Sequence, residues 1–387
     1  MIEPYGGKLV DRTASETEVK RFVEEQRDLI RIRPILDQIY DAEKIGLGAY
    51  SPLEGFMGSE DYNNVINKSR LSNGLPWTMP IILAPPQSGM LNEIKPSDEV
   101  AIEDMHGNPF ATLQVEEKFR IDKQEFAVKV YGTTDDAHPN VSDLKHFGDI
   151  AVSGKVKLYK RLGLSVARHE LTPRETREHF TKMGWNNVAA YQARNPPHLA
   201  HEYIQRVTLE RDDVDGLFIQ PIVGKLKKGD YKPEVIMKAY EVFVERYYPS
   251  DKVLLGSLSI SMRYAGPKAV LFYAIVRRNY GCSHYIVGRD QAGVGNYYDP
   301  YAGHRIFDEF DVGVKPLRYQ ETFYCKACAS MVSSKVCPHP NDQHISTSQT
   351  KIRQLLLEGK PLPAEILRPE VSQVLAEGDV ILTESQY

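Results

Sequence analysis

The stretch VAAYQARNPPHLAHEYIQR, residues 188–206, places an apolar run directly before an amphipathic run. The first run is typical of a strand covered on both faces. Apolar residues then recur at helical spacing after two prolines. We therefore predict a helix with Asn195 as its cap and with Pro196 and Pro197 in its first turn. The stretch indicates a strand-to-helix junction of an α/β fold.

Polar side chains crowd this junction. A helix N-terminus offers N–H donors and a positive dipole end, so it attracts anions. Two imidazoles and a guanidinium directed at one point suit a phosphorus centre that gains negative charge in its transition state. The alternative is two surface histidines beside a structural arginine, but five polar groups at one junction favour the functional interpretation. The five are Gln192, Arg194, Asn195, His198 and His201.

Strands and helices alternate from about residue 171. This alternation predicts right-handed crossovers and a parallel sheet covered on both faces. The predicted strands are 187–191, 216–220, 252–258 and 284–287, and the predicted helices are 197–211, 232–247 and 267–280.

Three loops of this region follow predicted strands. They span residues 192–201, 224–230 and 288–295. Ligands of such folds lie at the carboxyl ends of the strands, so the loops are expected to converge on one rim. The third loop, GRDQAGVG, combines glycines with Arg289, a composition that lets backbone N–H groups and a full charge meet an anion. Arg263, before the last helix, is equally compatible with a ligand contact and a structural ion pair.

The residues before about 165 show a different pattern. A helix is predicted around 21–26. Runs with period-two alternation follow, separated by turn residues, which predicts a mostly antiparallel β domain. These runs are 79–84, 99–103, 111–115 and 126–130. The stretch YSPLEGFM, residues 50–57, is interpreted as a packing loop between elements.

Three of the four cysteines lie in one short segment. Cys325, Cys328 and Cys337 have the spacing of a zinc knuckle, so a structural zinc is favoured over three unligated thiols. The fourth ligand is either His339 or His344. We favour His344, because His339 follows Cys337 by only two residues. Cys282 is predicted to be a buried packing residue.

Composition limits the functional classes. The chain has 387 residues, a formal net charge of -4 and 26% charged residues, which is typical of a soluble protein. The absence of a basic excess disfavours nucleic-acid binding. No apolar run has the length of a membrane span, and the N-terminus has no signal-peptide core, so a cytoplasmic location is expected.

The motifs together resemble those of the ATP sulfurylase family, over nearly the whole chain. QARNPPHLAH at 192–201 is similar to that family's QxRNPxHxxH signature. YSPLEGFM at 50–57, MRYAGP at 262–267 and GRDQAG at 288–293 are similar to three further family blocks. The resemblance implies an N-terminal PUA-like β domain (1–168), a Rossmann-like nucleotidyltransferase domain with a parallel sheet (169–320), and a small C-terminal domain with a zinc knuckle (321–387). It also implies the single-function form, which carries no appended kinase-like domain.

The resemblance further implies transfer of the adenylyl group of ATP to sulfate, giving adenosine 5'-phosphosulfate and pyrophosphate. Mg²⁺ would accompany ATP, zinc would be structural, and the chain would form a homodimer. Catalytic roles are implied for Arg194, Asn195, His198, His201 and Arg289; the same residues together with Gln192, Gly288, Asp290 and Ala292 would bind the substrates.

The sequence departs from the family pattern at three positions. Gln291 replaces a histidine, Gln220 stands where a histidine is common, and Gln349 replaces a glycine. Two other functions stay open: a nucleotidyltransferase of the same fold with another oxyanion acceptor, and an RNA-binding protein, which the acidic balance disfavours. The sequence does not determine in which direction the reaction runs in the cell.

Overall fold

A five-stranded sheet organises the N-terminal part of the chain. The computed structural model describes residues 1–86, 89–345 and 349–383, and for 350 and 351 the backbone alone. The strand order is β1-β3-β4-β5-β2, and every neighbouring pair is antiparallel except β1 with β3. The predicted mostly antiparallel β domain is confirmed. The strands are β1 (Arg31–Ile32), β2 (Gly55–Phe56), β3 (Glu99–Glu103), β4 (Pro109–Arg120) and β5 (Ile150–Leu158).

Helices cover this sheet, and one of them corrects a prediction. The run 126–130, predicted as a strand, lies in a helical segment made of α4 (Lys123–Phe126) and the π-helical turn Ala127–Tyr131. Asp122 caps the segment by accepting hydrogen bonds from two N–H groups, and the left-handed Gly132 ends it. The run 79–84 forms no strand beyond one isolated bridge from Leu83. The other helices are α1 (Glu16–Glu25), α2 (Leu36–Gly46), α3 (Ser59–Lys68) and α5 (Pro139–Leu144).

A parallel sheet with order β10-β9-β6-β7-β8 forms the second part. All of its pairs are parallel, so the α/β prediction is confirmed. Alternate residues of β6 pack into two different apolar clusters, one on each face of the sheet. The strands are β6 (Val188–Tyr191), β7 (Gly216–Ile219), β8 (Val253–Leu255), β9 (His284–Val287) and β10 (Lys315–Arg318); the helices are α6 (Pro173–Met183), α7 (Leu199–Leu209), α8 (Pro233–Tyr247), α9 (Pro267–Asn279) and α10 (Ala302–Glu309).

The start of α7 differs from the prediction. Its cap is His198, not Asn195, and both prolines precede the helix. His198 has an extended backbone, and its Nδ1 accepts a hydrogen bond from the N–H of His201 at 3.4 Å. The N–H of Leu199 donates to the carbonyl of Ile366. Two N–H groups of the first turn are therefore used within the protein and are not free to bind an anion.

The C-terminal part adds a three-stranded antiparallel sheet and two helices. The sheet has order β12-β11-β13, and α12 packs on α8. The predicted helix after residue 348 is observed as α11, while its predicted cap, Ser348, lies outside the described residues. The elements are β11 (Thr322–Cys325), β12 (Ser330–Ser333), β13 (His344–Ile345), α11 (Gln349–Leu357) and α12 (Pro369–Ala376); short 3-10 turns are Met90–Asn92, Ala167–His169 and Asn341–Gln343.

Buried charges join the N-terminal and central parts. Lys44, which is fully buried, contacts Glu43 at 2.6 Å and Glu170 at 2.7 Å. Both carboxylate oxygens of Asp41 accept hydrogen bonds from Nη2 of Arg263 at 2.7 Å. The two parts also share one apolar cluster. These contacts hold the segment that contains Arg263 against α2.

Two smaller predictions are also tested by the fold. Tyr50 is buried and packs edge-on against Phe272, as expected of a packing loop, and Cys282 is buried. Within the described ranges, no helix combines the length and apolar character needed to cross a membrane.

Candidate active site

All the substrate-binding residues expected from the sequence line one cleft. It has a volume of about 760 Å³ and lies at the carboxyl ends of β6 and β9, where ligands of open parallel sheets bind. The loop after β7 contributes Lys227 and Asp230. The predicted convergence of three loops on one rim is therefore confirmed. The expected residues on its wall are Gln192, Arg194, Asn195, His198, His201, Gly288, Arg289, Asp290 and Ala292.

Arg194 is held on two sides. Its Nη2 donates to Oδ2 of Asp230 at 2.7 Å. Its guanidinium carbon lies 5.2 Å from the centre of the Tyr264 ring, a cation–π distance. Burial lowers the pKa of Arg194, whereas the Asp230 carboxylate raises it. Nε of Arg194 is buried and has no hydrogen-bond partner within the described part of the chain. A buried donor without a partner is costly, so this atom is suited to a ligand oxygen.

The two histidines stack on each other. Their ring centres are 3.5 Å apart with an angle of 22° between the planes. Burial lowers the pKa of His198 to about 3, and burial followed by repulsion from His198 places the pKa of His201 well below its usual range. Both imidazoles are therefore neutral near pH 7. They can donate hydrogen bonds to phosphate oxygens, but they add no full positive charge.

Gln291, one of the departures from the family pattern, anchors the glycine-rich loop. Its Oε1 accepts from the N–H of Gly288 at 3.0 Å, and its Nε2 donates to the Tyr285 hydroxyl at 2.7 Å. That hydroxyl in turn donates to Oε1 of Gln192 at 3.1 Å. Gln291 thus connects the loop to the signature stretch through Tyr285. The Gly288 N–H is used in this network.

Two residues of the same loop have left-handed backbones. Asp290 has a φ of 53° and Ala292 a φ of 57°, a conformation that residues with a Cβ rarely adopt. The carbonyl of Ala292 accepts a hydrogen bond from the N–H of Gly266. Such strain concentrates at functional sites, where the surrounding structure enforces it. Burial raises the pKa of Asp290, while Arg289 lowers it. Arg289 itself is half-exposed, with its Nε 3.8 Å from Glu321.

The C-terminal part supplies residues that sequence reasoning missed. Arg353 of α11 donates from Nη2 to Oδ1 of Asn195 at 2.6 Å and lies 3.7 Å from Asp230. Gln349 donates to the carbonyl of Pro196 at 3.2 Å. Arg353 lies 158 residues after Asn195, so no local pattern connects the two.

The structure also defines the surroundings of Arg263 and Gln220. Arg263 forms the ion pair with Asp41, so of its two interpretations the structural one is observed. Its neighbours Met262 and Tyr264 line the cleft. Gln220 is fully buried and donates to the carbonyl of Ser257, below the cleft rather than on its wall.

The cysteine knuckle brings together four metal-ligand atoms. The donor atoms of Cys325, Cys328, Cys337 and His339 all lie within 4.8 Å of one another. Nδ1 of His339 is 3.5, 3.3 and 3.7 Å from the three sulfurs, and the sulfurs of Cys328 and Cys337 are 4.0 Å apart. A tetrahedral zinc requires separations of roughly 3.6 Å between nitrogen and sulfur and roughly 3.8 Å between sulfurs. The donor set and its spacing therefore fit zinc.

The positions of the donor atoms favour His339 as the fourth ligand over His344, which the sequence favoured. His344 belongs to β13, where it pairs with Cys325, and its ring stacks on Phe323 with centres 3.7 Å apart. Its Nε2 approaches one sulfur, that of Cys337, at 3.6 Å. His344 therefore lies at the edge of the cluster, whereas Nδ1 of His339 lies within 3.7 Å of all three sulfurs.

Known proteins provide an independent comparison. A family profile described as ATP-sulfurylase matches residues 167–378, and one described as a PUA-like domain matches residues 2–161. A sulfate adenylyltransferase of Hyperthermus butylicus is 45% identical over 373 residues, which covers 96% of this chain and 95% of the relative. This chain belongs to the ATP-sulfurylase family. The resemblance inferred from the motifs is thereby confirmed, and so is the prediction that the chain is an enzyme of that family.

Other relatives agree with this placement in the ATP-sulfurylase family. Sulfate adenylyltransferases of Pyrococcus abyssi and Chloroflexus aurantiacus are 43% and 45% identical, over 97% and 96% of this chain and 98% and 96% of the relatives. Among solved structures, a hexameric APS kinase from Thiobacillus denitrificans superposes with a TM-score of 0.76 at 23% identity, covering 97% of this chain and 68% of that chain. That similarity shows a shared fold.

Proposed function

We propose that the chain transfers the adenylyl group of MgATP to sulfate, releasing adenosine 5'-phosphosulfate and pyrophosphate. The observation that carries this proposal is Arg194, whose buried Nε has no partner among the described residues, in a cleft that also contains Arg289. Two guanidiniums on one wall suit a small dianion. The names of the relatives support sulfate as that anion.

The proposed step is a direct displacement. A sulfate oxygen attacks the α-phosphorus, the new bond forms between that oxygen and phosphorus, and the bond to the bridging oxygen of pyrophosphate breaks. Sulfate is already a dianion at neutral pH, so the step needs no general base. It needs charge neutralisation and alignment, which we assign to Arg194, Arg289 and the N–H of Ala292. Asn195 and Gln192 would orient the phosphates and the sulfate through their amide groups.

The histidines are proposed to act as neutral donors. Nδ1 of His198 accepts a hydrogen bond from the His201 N–H, which assigns the ring proton of His198 to Nε2. Nδ1 of His201 is buried without a partner in the described ranges. Both rings can therefore donate to phosphate oxygens that gain negative charge as pyrophosphate leaves. Asp290, on the cleft wall in the same loop, is proposed to accept from the nucleoside.

Zinc is proposed to be structural. Cys325, Cys328, Cys337 and His339 would supply all four ligands and leave no position for substrate. The knuckle belongs to the sheet that follows directly on Glu321, a residue of the cleft wall.

We also propose that the chain divides into three parts near residues 168 and 320, that it forms a homodimer and that it is cytoplasmic. Light scattering of the purified chain tests the subunit number.

The test is sulfate-dependent exchange of labelled pyrophosphate into ATP. The Arg194→Ala variant is expected to lose about 100-fold or more of the exchange rate, because it loses one preorganised contact to developing charge. Arg211→Ala is the matched control, since Arg211 pairs with Asp213 away from the cleft. Near-normal exchange in folded Arg194→Ala would contradict the proposal. Pyrophosphate exchange that depends on another oxyanion and not on sulfate would identify a different acceptor.

A further inference from the structure

Asp230 is the residue that fixes the direction of the Arg194 guanidinium. Its side chain is 8% exposed, and its Oδ2 accepts from Nη2 of Arg194 at 2.7 Å and from the backbone N–H of Lys227 at 3.1 Å. A carboxylate on the wall of an anion site repels the anion, so its presence there has an electrostatic cost. A role of the carboxylate in orienting the arginine that binds the anion would offset this repulsion.

The geometry of Arg194 supports an orienting role. Asp230 occupies one end of the guanidinium and Tyr264 covers one face, at 5.2 Å from the ring centre. Nε is then left without a partner among the described residues, on a side chain that lines the cleft. Arg194 has a long side chain with many rotamers, so a fixed partner reduces the ordering needed when the anion binds.

The position of Asp230 depends in turn on the C-terminal segment Asp379–Leu382, here called the tail strand. The N–H of Leu382 donates to the carbonyl of Asp230 at 2.9 Å, and the N–H of Gly229 donates to the carbonyl of Leu382 at 2.9 Å. The N–H of Lys232 donates to the carbonyl of Val380 at 3.0 Å. The Lys232 ammonium also contacts Asp379 at 2.5 Å. Backbone bonds on both sides of Asp230 therefore anchor its loop to the end of the described chain.

We propose that Asp230 is a positioning residue for Arg194, and that the tail strand holds Asp230 in place for this task. Sulfate recognition then depends on a segment about 190 residues away in sequence from the signature arginine. This inference rests on the proposed function. It adds that the C-terminal part contributes to sulfate affinity through backbone pairing as well as through the side chain of Arg353.

A double-mutant cycle in the full-length protein tests the first half. Asp230→Asn is compared with wild type in steady-state pyrophosphate release, with sulfate and ATP varied separately. The KM for sulfate is expected to rise about tenfold, because a misdirected guanidinium aligns the anion poorly, while the KM for ATP changes less than about twofold. In an Arg194→Lys background the same substitution is expected to change the KM for sulfate less than about twofold, since the group it orients is gone.

Controls separate orientation from folding and from simple repulsion. Asp213→Asn removes the partner of Arg211, Lys315 and His284, none of which lines the cleft, and should leave both KM values unchanged. Equal effects of Asp230→Asn in the two backgrounds would show a general structural role and overturn the inference. A lower KM for sulfate in Asp230→Asn would also overturn it, because Asp230 would then be a counter-ion that competes with sulfate. Wild-type protein without sulfate-dependent activity would reject the proposed function itself.

A pair of substitutions at Leu382 tests the second half. Leu382→Pro removes both the side chain and the N–H that donates to Asp230, whereas Leu382→Ala removes the side chain alone. The proline variant is expected to raise the KM for sulfate several-fold above that of the alanine variant. It should have no further effect in the Asp230→Asn background. Equal KM values for the two Leu382 variants would show that the tail strand does not position Asp230.

Discussion

Lowering the pH from 7 to 5 is expected to destabilise the protein through His198. The native imidazole is buried and its pKa is lowered to about 3, so it stays neutral over this range. In the unfolded chain the same imidazole has a pKa of about 6.5 and binds a proton. The unfolded state therefore binds more protons, and the free energy of unfolding falls as the pH decreases.

The magnitude follows from the two pKa values. Above pH 6.5 neither state is protonated at His198, and its contribution is fully present. Each pH unit below 6.5 costs about 1.4 kcal/mol, so the loss between pH 7 and pH 5 is about 2 kcal/mol. His201, whose pKa is also lowered, adds a loss in the same direction. The loss continues until the pH reaches the native pKa.

Urea unfolding at pH 5, 6, 7 and 8 measures this effect, with His198→Asn as the comparison. Asparagine retains a side-chain acceptor for the His201 N–H at the helix cap, but it does not titrate. The wild-type free energy of unfolding should therefore fall by about 2 kcal/mol more than that of the variant between pH 7 and pH 5. Parallel curves for the two proteins would refute a neutral, buried His198.

Three further outcomes are expected. Asp41→Asn should lower the free energy of unfolding by about 3 to 5 kcal/mol, because it leaves the Arg263 charge buried without its partner, and a loss below about 1 kcal/mol in urea unfolding would contradict this. His339→Ala should reduce zinc from about one per chain to near zero in metal analysis, whereas His344→Ala should retain it; the reverse result would restore His344 as the ligand. Arg353→Ala should lower the rate of pyrophosphate exchange about tenfold, because Asn195 loses its anchor, and exchange at the rate of the Arg211→Ala control would exclude that role.

The order of β6 to β9 and of α7 to α9 was predictable from the sequence, whereas α6, α10 and β10 were not predicted. Runs such as 188–191 and 284–287 are buried on both faces, and two of the helices between them, α8 and α9, begin with a proline. The cleft was also predictable, because the carboxyl ends of parallel strands share one edge of a sheet. Polar residues that follow two such strands must therefore lie close together.

Local ambiguity explains the wrong predictions. Residues 126, 128 and 130 are apolar with period two, yet residues 126, 127, 130 and 131 are also apolar at helical spacing, and Val128 is 53% exposed in the structure. Asparagine before two prolines is a strong cap signal, but His198 has the side chain that makes the capping bond. Both Asn195 and His198 are acceptable caps on the local sequence. The hydrogen bond from the Leu199 N–H to the Ile366 carbonyl forms only in the folded chain, so the sequence does not reveal it.

Long-range contacts were not predictable from one sequence. Asp230 contacts Arg194 across 36 residues and Arg353 contacts Asn195 across 158, and no periodic pattern marks these contacts. The pairing of the tail strand with Asp230 is equally distant in sequence from any local signal. The choice between His339 and His344 depended on the pairing of β13 with β11. In each case the deciding interaction joins separate segments of the chain, and no local sequence pattern predicts that these segments meet.

The stereochemistry at the α-phosphorus tests direct displacement by sulfate. ATP made chiral by a single sulfur at the α-phosphate is converted in the presence of sulfate, and the configuration of the adenylyl product is determined by phosphorus NMR. One in-line attack by sulfate held at Arg194 and Arg289 predicts inversion of configuration. Retention would require two displacements through a covalent enzyme intermediate and would contradict the proposed mechanism.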